Sequence, residues 1–236
     1  MLVHTKAIVI HAIRYGEADL IVKCFTQTDG LKSYLLRSIL KSKKGKLKAS
    51  MFQPLSQLEL VANHKNKGSL EYIKEAKINY PYQQIHTHIY KSSITIFIAE
   101  ILKNCIQEEE KNESLFIFLE ESFQELDISK EFSNFHLWLL LELTRYLGFY
   151  PHNNQGNVFN MIDGTFQNYK DNKYCLESEE VLFVKNNLNK KFSAAQQYKL
   201  NQSQRQDILN LLLTYYELHL HGFKKPKSLE VLSQLF

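Results

Sequence analysis

The chain of 236 residues is poor in the features that build disulfide frameworks, membrane spans and secretion signals. Its three cysteines, Cys24, Cys105 and Cys175, form no Cys-x-x-Cys pair, which indicates a reducing compartment. The longest apolar stretches, at 94–102 and 137–141, are far shorter than the ~20 residues that span a bilayer. The first twenty residues lack the pattern of a signal peptide. We therefore expect a cytoplasmic protein that does not contact membranes.

Signatures of catalysis and of metal binding are also missing from the sequence. It contains no Gly-x-x-x-x-Gly-Lys-Ser/Thr phosphate loop, no Gly-x-Gly-x-x-Gly motif and no Gly-x-Ser-x-Gly elbow. The histidine pairs 86/88 and 219/221 lie two residues apart on predicted helices, a spacing that points their rings away from each other. The cluster Glu108–Glu110 is typical of a solvated helix end. The sequence therefore predicts neither an enzyme nor a metal site.

The formal net charge of +4 is distributed unevenly along the chain. Residues 1–80 contain 14 Lys and Arg against 6 Asp and Glu, whereas the remainder contains 15 against 19. The N-terminal third therefore carries the positive field, which indicates an anionic partner for that part of the chain.

Short β-rich runs fill the N-terminal eighty residues. Asp29-Gly30 favours a tight hairpin because both residues tolerate positive φ, and Asn66–Gly68 marks a second turn. In the fourth run Leu58, Leu60 and Ala62 alternate with their neighbours. The predicted strands cover about 5–13, 19–26, 31–40, 55–64 and 69–78. Five short strands in a basic module predict a small, closed or partly open barrel like the OB-fold, and an SH3-like barrel would give a similar pattern.

Beyond Pro81 the apolar spacing becomes helical. One stripe runs from Ile85 to Leu102, and further helices are predicted over about 113–125, 132–147 and 204–220, with helical structure resuming near Ser178. The polar, turn-rich stretch at about 151–175 predicts an irregular excursion or a small hairpin. The expected fold is α+β in two domains: an OB-fold-like barrel over 1–80, followed by an all-helical domain over 81–236.

A dense basic run separates the third and fourth predicted strands. It places six cations in twelve residues: Arg37, Lys41, Lys43, Lys44, Lys46 and Lys48. Phosphate groups are the natural partner, because each cation that neutralises one releases condensed counterions. A solvated flexible loop is the alternative for such a run.

Several other residues can extend a nucleic-acid site. Lys23 and Lys32 flank the second hairpin, although such lysines also simply cover an exposed strand face. Phe25, Tyr34 and Phe52 have two alternatives: a core position, which is the more typical place for such residues, or a stacking surface for bases. A second basic group near the C-terminus consists of Lys224, Lys225 and Lys227. It can bind DNA or the acidic tail of a partner, or it can be a solvated helix end.

The order of short motifs resembles the RecO family of bacterial recombination mediators nearly from end to end. The start matches at Tyr15, Gly16, Glu17 and Asp19, and then at Phe25-Thr26 and Gly30-Leu31. The segments 52–55 and 58–60 resemble the family's entry to its fourth strand. Residues 140–143 and 147–151 resemble its central helix and the exit from it, and 227–232 its closing segment. No single motif is as specific as a phosphate loop.

The resemblance implies an OB-fold and a helical domain that bind single- and double-stranded DNA and anneal complementary strands. It also implies contacts with RecR and with the acidic tail of single-stranded-DNA-binding protein, in support of loading RecA recombinase near the nucleoid. Some family members carry a four-cysteine zinc knuckle after the helix exit. In this chain the corresponding excursion contains Cys175 alone, so no zinc and no other cofactor is expected.

Two non-enzymatic alternatives remain at this point. A nonspecific RNA-binding barrel would use the same basic loop and would prefer ligands with a 2′-hydroxyl group. A protein-interaction scaffold with an incidental basic loop would show no salt-dependent affinity for DNA.

Overall fold

Two compact units make up the chain in this computed structural model, Met1–Ile128 and Ser129–Phe236. The structure describes residues 1–42, 46–65, 70–106, 110–152 and 155–236. The first unit contains a five-stranded sheet and two helices, and the second contains helices around a small sheet. The expected α+β class, with an OB-fold-like N-terminal sheet followed by helices, is confirmed.

The first sheet is antiparallel throughout. Its strands are β1 (Leu2–Tyr15), β2 (Asp19–Thr26), β3 (Gly30–Leu36), β4 (Gln57–Asn63) and β5 (Tyr72–Tyr80), in the spatial order β3-β2-β1-β4-β5. Gly30 has a φ of 63° at the predicted β2–β3 hairpin. Strand β1 is long because its first half pairs with β4 and its second half with β2, with a register shift between Val9 and His11.

The sheet curls around an apolar interior but does not close into a continuous ladder. In the described residues, the edge strand β3 meets the residue just before β5 at one parallel bridge, Tyr34–Glu71. Two backbone bonds form it: the Leu35 amide donates to the Glu71 carbonyl at 2.9 Å, and the Glu71 amide to the Ser33 carbonyl at 2.8 Å. The predicted alternation in β4 is confirmed, because Leu58, Leu60 and Ala62 all lie in the core.

Two helices, α1 (Ile89–Cys105) and α2 (Glu113–Ile128), belong to the same compact unit as the sheet. The Glu120 carboxylate accepts bonds from Lys6 Nζ at 3.1 Å and from Asn79 Nδ2 at 3.0 Å. At the end of α2 the buried Asp127 carboxylate accepts three backbone amide bonds from the turn at 83–85, at 2.8–2.9 Å. The boundary expected at 80/81 separates the sheet from the first helix, whereas the compact unit continues to Ile128.

The second unit is built around α3 (Phe135–Tyr146), most of whose residues are buried. The remaining helices are α4 (Glu179–Asn187), α5 (Phe192–Ala195), α6 (Gln202–His219) and α7 (Leu229–Leu235). Tyr216 on α6 donates its hydroxyl to the Leu140 carbonyl at 2.8 Å. A capping box at Asn201 and Gln204 begins α6.

The polar excursion after α3 forms a small antiparallel sheet of β6 (Val158–Asn160), β7 (Thr165–Gln167) and β8 (Cys175–Leu176). The second unit is thus helical with a three-stranded sheet inserted in it. The fully buried Asn160 side chain donates to Asp163 Oδ2 at 2.8 Å and accepts from the Ile162 amide at 3.0 Å. These bonds satisfy the buried amide and hold the β6–β7 turn.

Candidate nucleic-acid interface

The basic segment that follows β3 is tied to the β1–β2 turn at its start. Ser38 adopts a φ of 55°, and its amide donates to Asp19 Oδ1 at 2.7 Å. The Leu40 amide donates to the Ala18 carbonyl at 2.9 Å, and Ile39 is buried in the core of the sheet. These anchors end β3 before Arg37 and turn the chain outward.

The far end of the segment is anchored as well. A short 3₁₀ helix, Ala49–Phe52, buries Phe52 in the core, and Leu47 packs against the same cluster. Between the anchors, the predicted site residues Arg37, Lys41, Lys46 and Lys48 are exposed. Lys43 and Lys44 lie outside the described residues. The described cations therefore project from stretches that are anchored on the sheet on either side of residues 43–45.

Lys41 also forms an ion pair on the surface. Its Nζ lies 2.9 Å from Glu17 Oε2 in the β1–β2 turn, and the two side chains are 63% and 88% exposed. A pair this exposed contributes little to stability. A phosphate can therefore displace Glu17 at small cost.

The parallel bridge between β3 and β5 creates a cluster that the sequence analysis did not identify. Arg37 Nη2 donates to the Tyr72 hydroxyl at 3.2 Å, and the Arg37 Cζ lies 5.7 Å from the centre of the Tyr72 ring. Lys65 Nζ lies 5.9 Å from the same centre. The Lys65 amide donates to Glu71 Oε1 at 2.8 Å, and this bond fixes the backbone of Lys65 beside Tyr72. In the sequence, the signal that could have indicated this cluster is the density of lysines around the β4–β5 turn.

The structure places Lys32 in the interior, which corrects its assignment to the DNA-binding surface, and it also buries the three aromatics that were candidates for stacking. Lys32 is only 6% exposed, on the inner face of β3. Tyr34 and Phe52 belong to the sheet core, where the core alternative is confirmed. Phe25 lies on the other face of its strand and is covered by α2, with its ring centre 6.0 Å from that of Phe116.

Lys23 is half-buried, opposite His11 across the β1–β2 pair. The Nζ of Lys103, near the end of α1, lies 3.4 Å from His11 Nε2. Burial, followed by the positive charges of Lys103 and Lys23, lowers the pKa of His11. Lys23 therefore forms a separate positive group with His11 and Lys103, apart from the Arg37–Lys48 segment.

The second predicted basic group lies in the second unit, in the turn between α6 and α7. Lys224, Lys225 and Lys227 are all exposed, and Lys225 Nζ is 3.5 Å from Glu217 Oε2. Their exposure fits both a binding role and a solvated end of α6.

The histidine pairs and the cysteines take structural positions. His86 and His88 lie in a turn before α1 and not on a helix, and one ring nitrogen of His86 is 2.9 Å from the Pro54 carbonyl. Cys175 donates its thiol to Asp171 Oδ1 at 2.9 Å within the small sheet. Across the described ranges, no three His, Cys, Asp or Glu side chains are grouped so that they can hold a metal ion. In the same ranges, no helix has both the length and the apolar character needed to cross a membrane.

The fold and the site together define a class: a protein with an OB-fold-like sheet that presents an anchored basic segment, followed by a helical unit. Comparison with known proteins identifies the family. A model described as "Recombination protein O N terminal" matches residues 1–82, and one described as "Recombination protein O C terminal" matches residues 86–230. The chain belongs to the RecO family of DNA repair proteins.

Curated relatives agree with this assignment over the whole length. The chain is similar to proteins named DNA repair protein RecO from Christiangramia forsetii (55% identity), Flavobacterium psychrophilum (50%) and Bacteroides fragilis (35%). Each comparison covers 100% of this chain and 100% of the relative. The family resemblance drawn from the short motifs is confirmed.

Proposed function

We propose that this protein is a recombination mediator that binds single- and double-stranded DNA and anneals complementary strands. With RecR it helps load RecA recombinase onto DNA coated by single-stranded-DNA-binding protein, whose acidic tail is a further partner. The observation that supports this proposal is the basic segment 37–48, anchored at both ends on an OB-fold-like sheet in a member of a DNA repair family. The site of action is the cytoplasm, at the nucleoid.

The proposed mechanism is electrostatic and involves no covalent step. Cations that bind the phosphates of two strands reduce their mutual repulsion and raise their local concentration, so that base pairing proceeds faster. Such a process needs no nucleotide hydrolysis, no zinc and no other cofactor. Arg37, Lys41, Lys46 and Lys48 are the described residues proposed for phosphate contact, with Lys43 and Lys44 between them.

The test is the affinity for labelled single-stranded DNA across a salt series, measured by fluorescence anisotropy. A variant with Lys41, Lys43, Lys44, Lys46 and Lys48 changed to Ala should bind more weakly. The slope of log affinity against log salt should flatten by about 0.7 for each phosphate contact that is lost. A matched control removes five lysines that are exposed in the second unit: Lys170, Lys173, Lys190, Lys191 and Lys199.

The control has the same change in net charge, so it separates a local site from general attraction. The proposal predicts that only the segment variant has a flatter slope of log affinity against log salt. Only that variant should also slow the pairing of two complementary strands, one labelled with a fluorophore and the other with a quencher. Equal slopes in the two variants would place the phosphate contacts elsewhere. If the intact protein does not bind DNA, or binds it independently of salt, the proposal is wrong. If it binds RNA of the same sequence more tightly than DNA, RNA is the ligand.

A further inference from the structure

Tyr72 is the aromatic side chain that the fold brings into the cationic surface of the first unit. It is the first residue of β5, and it is half-buried on the strand face opposite the buried Ile73. The bridge between Tyr34 and Glu71 puts this residue beside the end of β3, and Arg37 lies just beyond that end. Residues 35 positions apart in sequence are thereby placed in hydrogen-bond contact.

Two cations lie close to the Tyr72 ring. The Arg37 guanidinium carbon and the Lys65 ammonium nitrogen lie 5.7 and 5.9 Å from the ring centre. Arg37 also donates to the Tyr72 hydroxyl at 3.2 Å, which places the guanidinium beside the ring. An aromatic ring beside two cations matches the repeating unit of a single strand, in which a base alternates with charged backbone.

We infer that Tyr72 is a base-stacking residue for single-stranded DNA, with Arg37 and Lys65 binding the phosphates on either side of the stacked base. This inference rests on the proposed function and adds to it a residue that recognises bases and not charge. An unpaired base offers a free face to the ring, whereas a paired base in a duplex is stacked on both sides. The site therefore favours single strands over duplex.

Stacking and charge neutralisation differ in their response to salt, and the test uses this difference. Tyr72→Leu is expected to weaken binding of a single strand roughly 5- to 150-fold and to leave the salt slope unchanged. Tyr72→Phe keeps the ring and should retain most of the affinity. Arg37→Gln and Lys65→Gln should each reduce the salt slope by about 0.7.

A strand of abasic sugar-phosphate units provides the second arm of the test. Wild type and Tyr72→Leu should bind the abasic strand equally, because no base is present to stack. Tyr90→Leu, which removes an exposed tyrosine from α1, is the matched control and should bind both strands like wild type. Circular dichroism and the melting temperature establish that each variant is folded.

The inference is overturned if Tyr72→Leu binds normal DNA as tightly as wild type, or loses as much affinity for the abasic strand as for the normal one. If Tyr72→Leu does not fold, ultraviolet crosslinking of wild type to DNA with 5-iodouracil decides the question. Attachment at Tyr72, located by mass spectrometry, supports the inference, and attachment only elsewhere overturns it. Failure of the proposed function looks different, because wild type would then show no DNA binding at all.

Discussion

The buried imidazole of His136 on α3 makes the stability of the second unit depend on pH. Its side chain is 1% exposed, and its ring centre lies 5.4 Å from that of Phe236. Burial, followed by the positive charge of Arg205, lowers the pKa of His136 from 6.5 to about 3. The folded protein therefore keeps this imidazole neutral under conditions in which the unfolded chain protonates it.

The sign and size of the effect follow from this difference. Because the pKa of His136 is lower in the folded state, its contribution to the free energy of unfolding is fully present above about pH 6.5. That contribution is lost progressively as the pH falls towards 3. At pH 5 the unfolded chain gains about 2 kcal/mol from protonating His136, while the folded chain binds almost no proton there. The free energy of unfolding should therefore fall by about 2 kcal/mol between pH 7.5 and pH 5 through this residue alone.

Urea unfolding followed by tryptophan fluorescence measures this quantity in the right part of the chain. Trp138 is the sole tryptophan, it lies on α3 two residues from His136, and its Nε1 donates to the Lys190 carbonyl at 2.9 Å. His136→Leu removes the titrating group but leaves the other eight histidines in place. Comparing wild type with this variant at each pH cancels their contributions. A loss of stability that is the same in both proteins would refute the assignment of a neutral buried imidazole.

Two further predictions concern local structure. Asp127→Ala removes the acceptor for three backbone amides at 83–85 and should destabilise the first unit by about 1–3 kcal/mol, seen as a lower midpoint in thermal unfolding; an unchanged midpoint would mean that water replaces the carboxylate. Gly156→Ala would place a Cβ 2.2 Å from the Gln167 carbonyl group and should destabilise the protein far more than Gly16→Ala, where nothing lies within 4 Å and the φ is also positive. Equal losses in the two glycine variants would show that backbone strain and not the steric contact dominates.

Much of the architecture is encoded in short-range patterns. The predicted β2 coincides with Asp19–Thr26, and the predicted helix at 113–125 lies within α2. These elements combine local propensity with an apolar period that agrees with their burial, so neighbouring residues suffice to define them. The same holds for the inner face of β3. Lys32 alternates in step with the buried Tyr34 and Leu36, so the period itself indicated that Lys32 faces inward.

Element boundaries depended on distant residues and were predicted less well. The third strand was expected to run to about residue 40, but it ends at Leu36 because Asp19 binds the Ser38 amide. The first helix was expected from about Ile85, but it begins at Ile89 because Asp127 holds residues 83–85 in a turn. Both carboxylates lie far in the sequence from the amides that they bind, so a local sequence pattern cannot predict these partners.

The location of the candidate site follows from which surfaces the helices cover. On β2 the outward-facing Phe25 is covered by α2, and Lys23 lies close to His11 beside the end of α1, so this strand face is not an open platform for nucleic acid. Exposed cations remain where β3 leads into the basic segment and where β5 begins. These two places are joined because the edge strands meet at the Tyr34–Glu71 bridge. Arg37 and Tyr72 thus come together through the curvature of the sheet, a property that depends on the pairing of all five strands and cannot be read from either segment alone.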